Sequence, residues 1–198
     1  MLHDMKLLAG LLFLVPAFAA DDFTIYELLP PSTHSFDILY DVSIDREGAA
    51  YFFNPIRPGS TSSKESVLDL STGKPLEFEE VDAKTARESG LVRGRIADDQ
   101  RYIRVKFTHP VPKNGEVRIR ILKTYTDAPS YYEKDNTLVF DRPLGIKRNI
   151  VVLPKGYELV GSQSPGIVST DADGRVRVSF LNDRDDQLPV KITGRKTQ

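Results

Sequence analysis

The chain has 198 residues, and its 27 basic side chains nearly balance its 28 acidic ones. This balance gives no global electrostatic argument for a nucleic-acid partner. Because the chain has no cysteine, disulfides, thiol-linked lipids and thiolate chemistry are excluded, and an apolar core must hold the fold together.

Residues 1–19 have the pattern of a secretory signal peptide. Lys6 precedes an apolar run from Leu7 to Phe18, and Ala17 and Ala19 fit the small-residue pattern A-x-A. The run is shorter than the about 20 residues that a spanning helix needs. We therefore predict cleavage after Ala19, a mature chain without a transmembrane segment, and a periplasmic or secreted location. A retained N-terminal anchor is the alternative.

Residues 20–198 show the alternation of apolar and polar side chains that is typical of β-strands. This pattern predicts a single all-β domain, an antiparallel β-sandwich or a saddle-like fold. A long loop is predicted at 54–63, a helical turn at 82–89, and a polar linker at 127–136, where the chain could divide in two. The predicted strands are 23–26, 34–44, 49–53, 67–70, 76–78, 101–107, 117–121, 137–140, 150–153, 167–168, 176–180 and 188–192.

Turn residues predict how neighbouring strands are joined. Gly48 is expected to close a hairpin between strands 34–44 and 49–53. Asp173-Gly174 is a common two-residue hairpin turn, because glycine accepts a positive φ. The stretch from Arg101 to Tyr125 is also predicted to form a hairpin, on which the rest of the domain is organised.

The outward face of that predicted hairpin carries four cations. Its expected register places Arg104, Lys106, Arg118 and Arg120 in two like-charge cross-strand pairs, which would be destabilising. One interpretation is a neighbouring strand that offers Glu77 and Glu79. The other is that the four cations bind an anionic envelope ligand, such as a lipid or glycan phosphate.

The sequence contains no recognisable catalytic, metal or cofactor motif. His34 and His109 lack the helical spacing of zinc ligands, and no nucleophile elbow or phosphate-binding glycine loop is present. We therefore predict no catalytic residue, no metal ligand and no cofactor. Asp171, Asp173 and residues 182–186 are interpreted as solvated turns, with Ca²⁺ binding as the alternative.

Several short motifs carry a resemblance to a known family. They are a strand that begins near His34, the turn 54–60 (NPIRPGS), the segment 69–76 (DLSTGKPL) and the segment 152–157 (VLPKGY). Together they resemble the N-terminal β-domain of glycyl-aminopeptidase-like metallopeptidases. The resemblance implies an accessory β-domain without the catalytic domain that follows in that family, and it assigns no functional residue.

These observations predict an exported, non-catalytic binding or assembly module of the cell envelope. Its expected partner is an anionic envelope ligand or another protein, and not nucleic acid. Two alternatives stay open: an accessory subunit of a hydrolase or peptidase, and a β-rich enzyme whose site has no recognisable motif.

Overall fold

The computed structural model describes residues 22–92 and 94–197, so the predicted signal peptide and its cleavage site lie outside the described residues. One short helix, α1, and one 3-10 turn, Pro31–Thr33, accompany the strands. The helix is Ala83–Glu88, and the strands are β1 Phe23–Leu28, β2 Ser35–Ile44, β3 Tyr51–Ile56, β4 Thr61–Asp69, β5 Phe78–Asp82, β6 Arg101–Lys106, β7 Val117–Thr126, β8 Tyr131–Lys134, β9 Thr137–Asp141, β10 Arg148–Val152, β11 Tyr157–Ser162, β12 Ile167–Thr170, β13 Val176–Leu181 and β14 Lys191–Lys196.

The described strands form three sheets, which confirms the predicted all-β class. A seven-stranded sheet has the order β12-β13-β10-β1-β2-β7-β4, a four-stranded sheet the order β11-β14-β9-β8, and a three-stranded sheet the order β3-β6-β5. The pairing of β1 with β10 is parallel, whereas the other strand pairs are antiparallel.

The inner face of the seven-stranded sheet packs on both smaller sheets around one apolar cluster. Phe36 of β2 is fully buried at its centre, and four aromatic rings surround it with centroid separations of 5.6–6.3 Å. Edge-to-face and tilted rings at such distances add to the stabilisation from buried apolar area. The four rings belong to Tyr26, Tyr125, Tyr131 and Phe140, and they come from the seven-stranded and four-stranded sheets.

Several local predictions are confirmed. The predicted β12–β13 hairpin forms and Gly174 has φ +83°, but its loop spans residues 172–174 rather than two residues, because the Asp171 amide still donates to the Arg175 carbonyl at 2.9 Å. Helix α1 occupies the predicted helical turn, and the Asp82 side chain accepts a hydrogen bond of 2.8 Å from the Thr85 amide at its N-terminus.

Other local predictions differ from the structure, either in the partner of a strand or in where strands begin and end. The predicted hairpin of β2 with β3 does not form, since β3 pairs with β6 in another sheet. The predicted loop at 54–63 is shorter, because β3 continues to Ile56 and β4 begins at Thr61. The predicted linker at 127–136 contains β8, which forms a hairpin with β9.

The turn that follows β4 depends on one buried carboxylate. The Asp69 Oδ1 atom accepts hydrogen bonds from the Ser71 amide at 2.8 Å, the Ser71 hydroxyl at 2.6 Å and the Thr72 amide at 3.0 Å. These hydrogen bonds lower the pKa of Asp69, and the bond from the Ser71 hydroxyl has the largest effect.

We expect Asp69→Ala to lower the free energy of unfolding at pH 7 by about 1–3 kcal/mol, because three donors lose their acceptor. Asp69→Asn keeps an acceptor oxygen and is the matched control, with a smaller loss. Urea unfolding measures both. Since folding lowers the pKa of Asp69, the carboxylate stabilises the fold above about pH 4, and this contribution disappears as the pH falls further. Equal stability of the alanine variant and the wild type would contradict the prediction.

Candidate functional site

The structure separates the four cations that the sequence places on one hairpin. Arg104 and Lys106 lie on β6 in the three-stranded sheet, whereas Arg118 and Arg120 lie on β7 in the seven-stranded sheet. The predicted hairpin between these strands is therefore wrong. The connection at 107–116 has ten residues, more than the two to five of a typical hairpin loop.

Hydrogen bonds explain why β6 does not turn back on β7. The Phe107 amide donates to the Ala50 carbonyl at 3.0 Å, and the Val111 amide donates to the Ala49 carbonyl at 2.9 Å. The segment after β6 thus stays bound to the chain before β3, and β7 starts in another sheet. The cross-strand pairs that would have opposed like charges do not exist.

Each of these cations has an acidic neighbour within its own region of the fold. Lys106 Nζ lies 3.1 Å from Glu77 Oε2, and Arg104 forms an ion pair with Glu79 on β5. The interpretation that Glu77 and Glu79 offset these two cations is confirmed. Arg120 donates two hydrogen bonds of 2.7 Å to Asp41, and Arg118 Nε lies 3.9 Å from Glu116 Oε1. Anion binding by the four cations stays a prediction.

The outer face of the seven-stranded sheet, which points away from the core, carries a row of aliphatic side chains. The strand registers align one residue from each of the seven strands, and five of the seven are isoleucine or leucine. All are partly or fully exposed. This aliphatic row consists, in strand order, of Ile167, Ser179, Ile150, Ile25, Leu39, Leu122 and Ser66.

At its β12 end the aliphatic row opens into a groove of about 530 Å³. Phe23, Ile150, Ile167 and Leu181 line the groove, with the exposed Arg148 among them. Leu181 is 70% exposed and Ile167 is 76% exposed, although both are large aliphatic residues. An exposed apolar groove with a polar rim is typical of a surface that binds a ligand or another protein.

The interior beside β7 holds more cations than carboxylates. Lys123 is 6% exposed on the core face of β7, where its Nζ atom donates to Asn54 Oδ1 and lies 4.8 Å from the centroid of the Tyr125 ring. Arg142 contacts the same ring at 5.4 Å and donates a hydrogen bond of 2.7 Å to Asp127 Oδ2.

The electrostatic consequence appears at Lys123. Among the described residues, no carboxylate lies within ion-pair distance of its Nζ atom. Burial and the charge of Arg142 lower the pKa of Lys123 to about 7, and the more distant Glu65 opposes this shift.

The predicted acidic turns are engaged with arginines. Asp171 accepts a hydrogen bond of 2.7 Å from Arg177, and Asp173 accepts one of 2.6 Å from Arg175. Arg184 forms an ion pair with Asp186. Within residues 22–92 and 94–197, no group of three or more acidic or histidine side chains could hold a metal ion.

The described residues also include no helix with the length and hydropathy that a membrane crossing requires.

Comparison with known proteins identifies solved structures with a similar fold. No family model and no curated protein matches the chain. Among solved structures, it is similar to an M1 zinc metallopeptidase from Deinococcus radiodurans, with a TM-score of 0.52 and 11% identity over 87% of this chain and 41% of that one. It is also similar to an aminopeptidase N family protein from Idiomarina loihiensis, with a TM-score of 0.50 and 10% identity over 88% of this chain and 29% of that one.

The chain therefore has a fold found within M1 peptidases, and it spans less than half the length of each of these two structures. This confirms, at the level of fold, the resemblance inferred from short motifs. The extent of the match is consistent with the N-terminal, non-catalytic part of those enzymes.

Sequence reasoning missed the outer face. Both alternating positions of β1 and β10 are apolar in part, but the predicted strands 23–26 and 150–153 assign no surface role to Phe23, Ile25 or Ile150. The registers instead place these three side chains on the aliphatic row or in the groove. The available signal was apolar residues on both faces of a strand, which indicates either complete burial or a surface with a second partner.

Proposed function

We propose that this chain is an exported, non-catalytic binding or assembly module of the cell envelope. The observation that carries the proposal is the apolar groove, where large aliphatic side chains are exposed at the end of the aliphatic row. Leaving such a surface in water costs free energy, so a partner that covers it would bind with a favourable hydrophobic contribution.

The test measures how much purified protein sediments with an envelope fraction. Leu181→Lys should reduce the bound fraction severalfold, because it places a charge in the groove. Val160→Lys is the matched control: Val160 is 57% exposed on β11, in another sheet, and the substitution should leave binding unchanged. Binding through the groove should persist at high salt. If both variants bind as the wild type does, the groove is not the binding surface.

If the ligand is anionic, as the sequence analysis predicts, the same assay should give a different result. If Arg104 and Arg120 bind a phosphate group, their joint replacement by glutamine should abolish binding, and salt should weaken binding of the wild type. Loss in the double glutamine variant together with full binding by Leu181→Lys would favour the cationic residues over the groove.

An accessory role beside a peptidase is a second candidate function, supported by the fold similarity to M1 peptidases. The test immobilises the chain, exposes it to envelope extract and measures hydrolysis of aminoacyl nitroanilides on the washed resin. Activity retained by the wild type and Val160→Lys but lost with Leu181→Lys would support this role. Equal activity on all three resins and on blank resin would exclude it.

A further inference from the structure

The three sheets have six edge strands among the described residues, and five of them carry features that oppose pairing with another chain. Charged residues, proline and β-bulges are the usual protective devices of sheet edges. β3 contains Pro55, and β4 and β11 each contain a bulge. The remaining two edges are charged, with Glu79, Glu80 and Asp82 on β5 and Glu133 and Lys134 on β8.

β12 is the sixth edge, and within the described part of the chain it has none of these devices. Its four residues are uncharged and contain no proline, and its pairing with β13 is regular. All four are exposed, including Val168 at 54%. An exposed edge strand with apolar side chains offers unpaired backbone groups to another strand.

The chemistry of β12 suits a second copy of itself. In a symmetric antiparallel pair, each side chain lies opposite its own symmetry mate or a near neighbour, so a charged strand would repel itself. β12 carries no charge. The flanking Asp171 is already paired with Arg177 of the same chain at 2.7 Å, so symmetric pairing brings no unpaired like charges together.

The alternation of side chains restricts the register. A twofold axis perpendicular to the sheet keeps the outer faces of both copies on the same side, so paired residues must have the same parity. With the axis at Val168, this residue faces Val168 of the other copy, and Ile167 faces Ser169. No charged residue takes part in these pairs.

We propose that two copies of this chain associate through antiparallel pairing of their β12 strands, which joins the two seven-stranded sheets across a twofold axis. The two grooves then lie on the same side of the joined sheet, where one extended ligand can contact both. This inference goes beyond envelope binding and does not depend on it. Because β12 has only four residues, the interface between the two copies is small, and the dimer dissociates on dilution.

Analytical ultracentrifugation from about 1 μM to about 1 mM protein tests the proposal. The measurement uses the chain with residues 1–19 and, in parallel, without them. We expect the wild type to shift from monomer to dimer in both forms, and Val168→Lys to stay monomeric. Val160→Lys, with its exposed valine on the bulged edge β11, should dimerise as the wild type does. Circular dichroism confirms that both variants fold.

A charge exchange tests the register. Because Val168 faces itself, Val168→Lys and Val168→Glu should each remain monomeric alone, and an equimolar mixture should form a heterodimer. A wild type that stays monomeric at all concentrations overturns the proposal, as does dimerisation of Val168→Lys alone. Dimerisation only in the presence of residues 1–19 would assign the contact to that segment and also overturn it. None of these outcomes changes the expected loss of envelope binding in Leu181→Lys. Failure of the dimer proposal is therefore distinguishable from failure of the proposed binding function.

Discussion

Asp127→Asn is expected to lower the free energy of unfolding by about 3–5 kcal/mol, because it removes one charge from a buried ion pair. Asp127 is 3% exposed, and its Oδ2 atom accepts a hydrogen bond of 2.7 Å from Arg142. Arg57 Nη1 lies 3.7 Å from the same oxygen. Without the carboxylate, the Arg142 side chain, which is only 13% exposed, loses the ion-pair partner that offsets its charge.

Urea unfolding at pH 7 measures this loss. The matched control is Asp98→Asn, since Asp98 also pairs with an arginine, Arg87, but its side chain is 99% exposed. Exposed pairs contribute little, so the control should unfold as the wild type does. Equal, small effects of the two substitutions would show that the interior is hydrated enough to hold the cations without Asp127.

The sequence predicts those parts of the fold that depend on neighbouring residues. Alternation along residues 35–44 predicts β2 because side-chain direction has a period of two, and Gly174 predicts its turn because few residues accept a positive φ. The same holds for α1, which is predicted from the good helix formers at 82–89, because helix propensity is a local property. These features require no knowledge of the remaining chain.

Strand pairing depends on contacts between distant residues, and here the prediction fails. The pairs β3–β6 and β5–β6 join residues that are separated by about 20 or more positions, and periodicity does not encode the choice of partner. The two halves of the expected hairpin at 101–125 each have a correct strand pattern but different partners. Grouping Arg104 with Arg120 therefore rested on a pairing that local sequence could not establish.

The interior cations were missed for a related reason. Lys123 follows Ile119 and Ile121 on the inward face of β7, but a lysine near the end of an apolar alternation is usually solvated. Its burial results from β3, which places Asn54 against it, and from the segment after β9, which supplies Arg142. Neither neighbour could be assigned before the sheets were known.

Lys123→Met is expected to remove most of the dependence of stability on pH between about pH 7 and pH 9. Folding lowers the pKa of Lys123 from its ordinary value near 10.5 to about 7. Across this interval the unfolded chain binds more protons than the folded one, so the free energy of unfolding of the wild type rises with pH. Below pH 7 both states are protonated, and the full cost of the buried charge is present.

The expected rise for the wild type is about 2–3 kcal/mol from pH 7 to pH 9, since each unit of pKa difference corresponds to about 1.4 kcal/mol. This pH interval ends below the range in which the buried tyrosines contribute to the pH dependence of stability. Burial raises the pKa values of Tyr26, Tyr125 and Tyr131, and their contribution is lost only as the pH rises above about 10.

At pH 6 the methionine variant should be more stable than the wild type, because replacing a buried charge by an apolar side chain of similar length removes the desolvation cost. The gain is reduced by about 1–3 kcal/mol, because Asn54 Oδ1 loses its donor. Urea unfolding at pH 6, 7, 8 and 9 measures both effects. Lys191→Met is the control: Lys191 is exposed and paired with Asp141 at 3.1 Å, which raises its pKa, so it does not titrate in this interval. Parallel pH profiles of the wild type and Lys123→Met would refute the prediction, because they would mean that Lys123 titrates alike in the folded and unfolded chains.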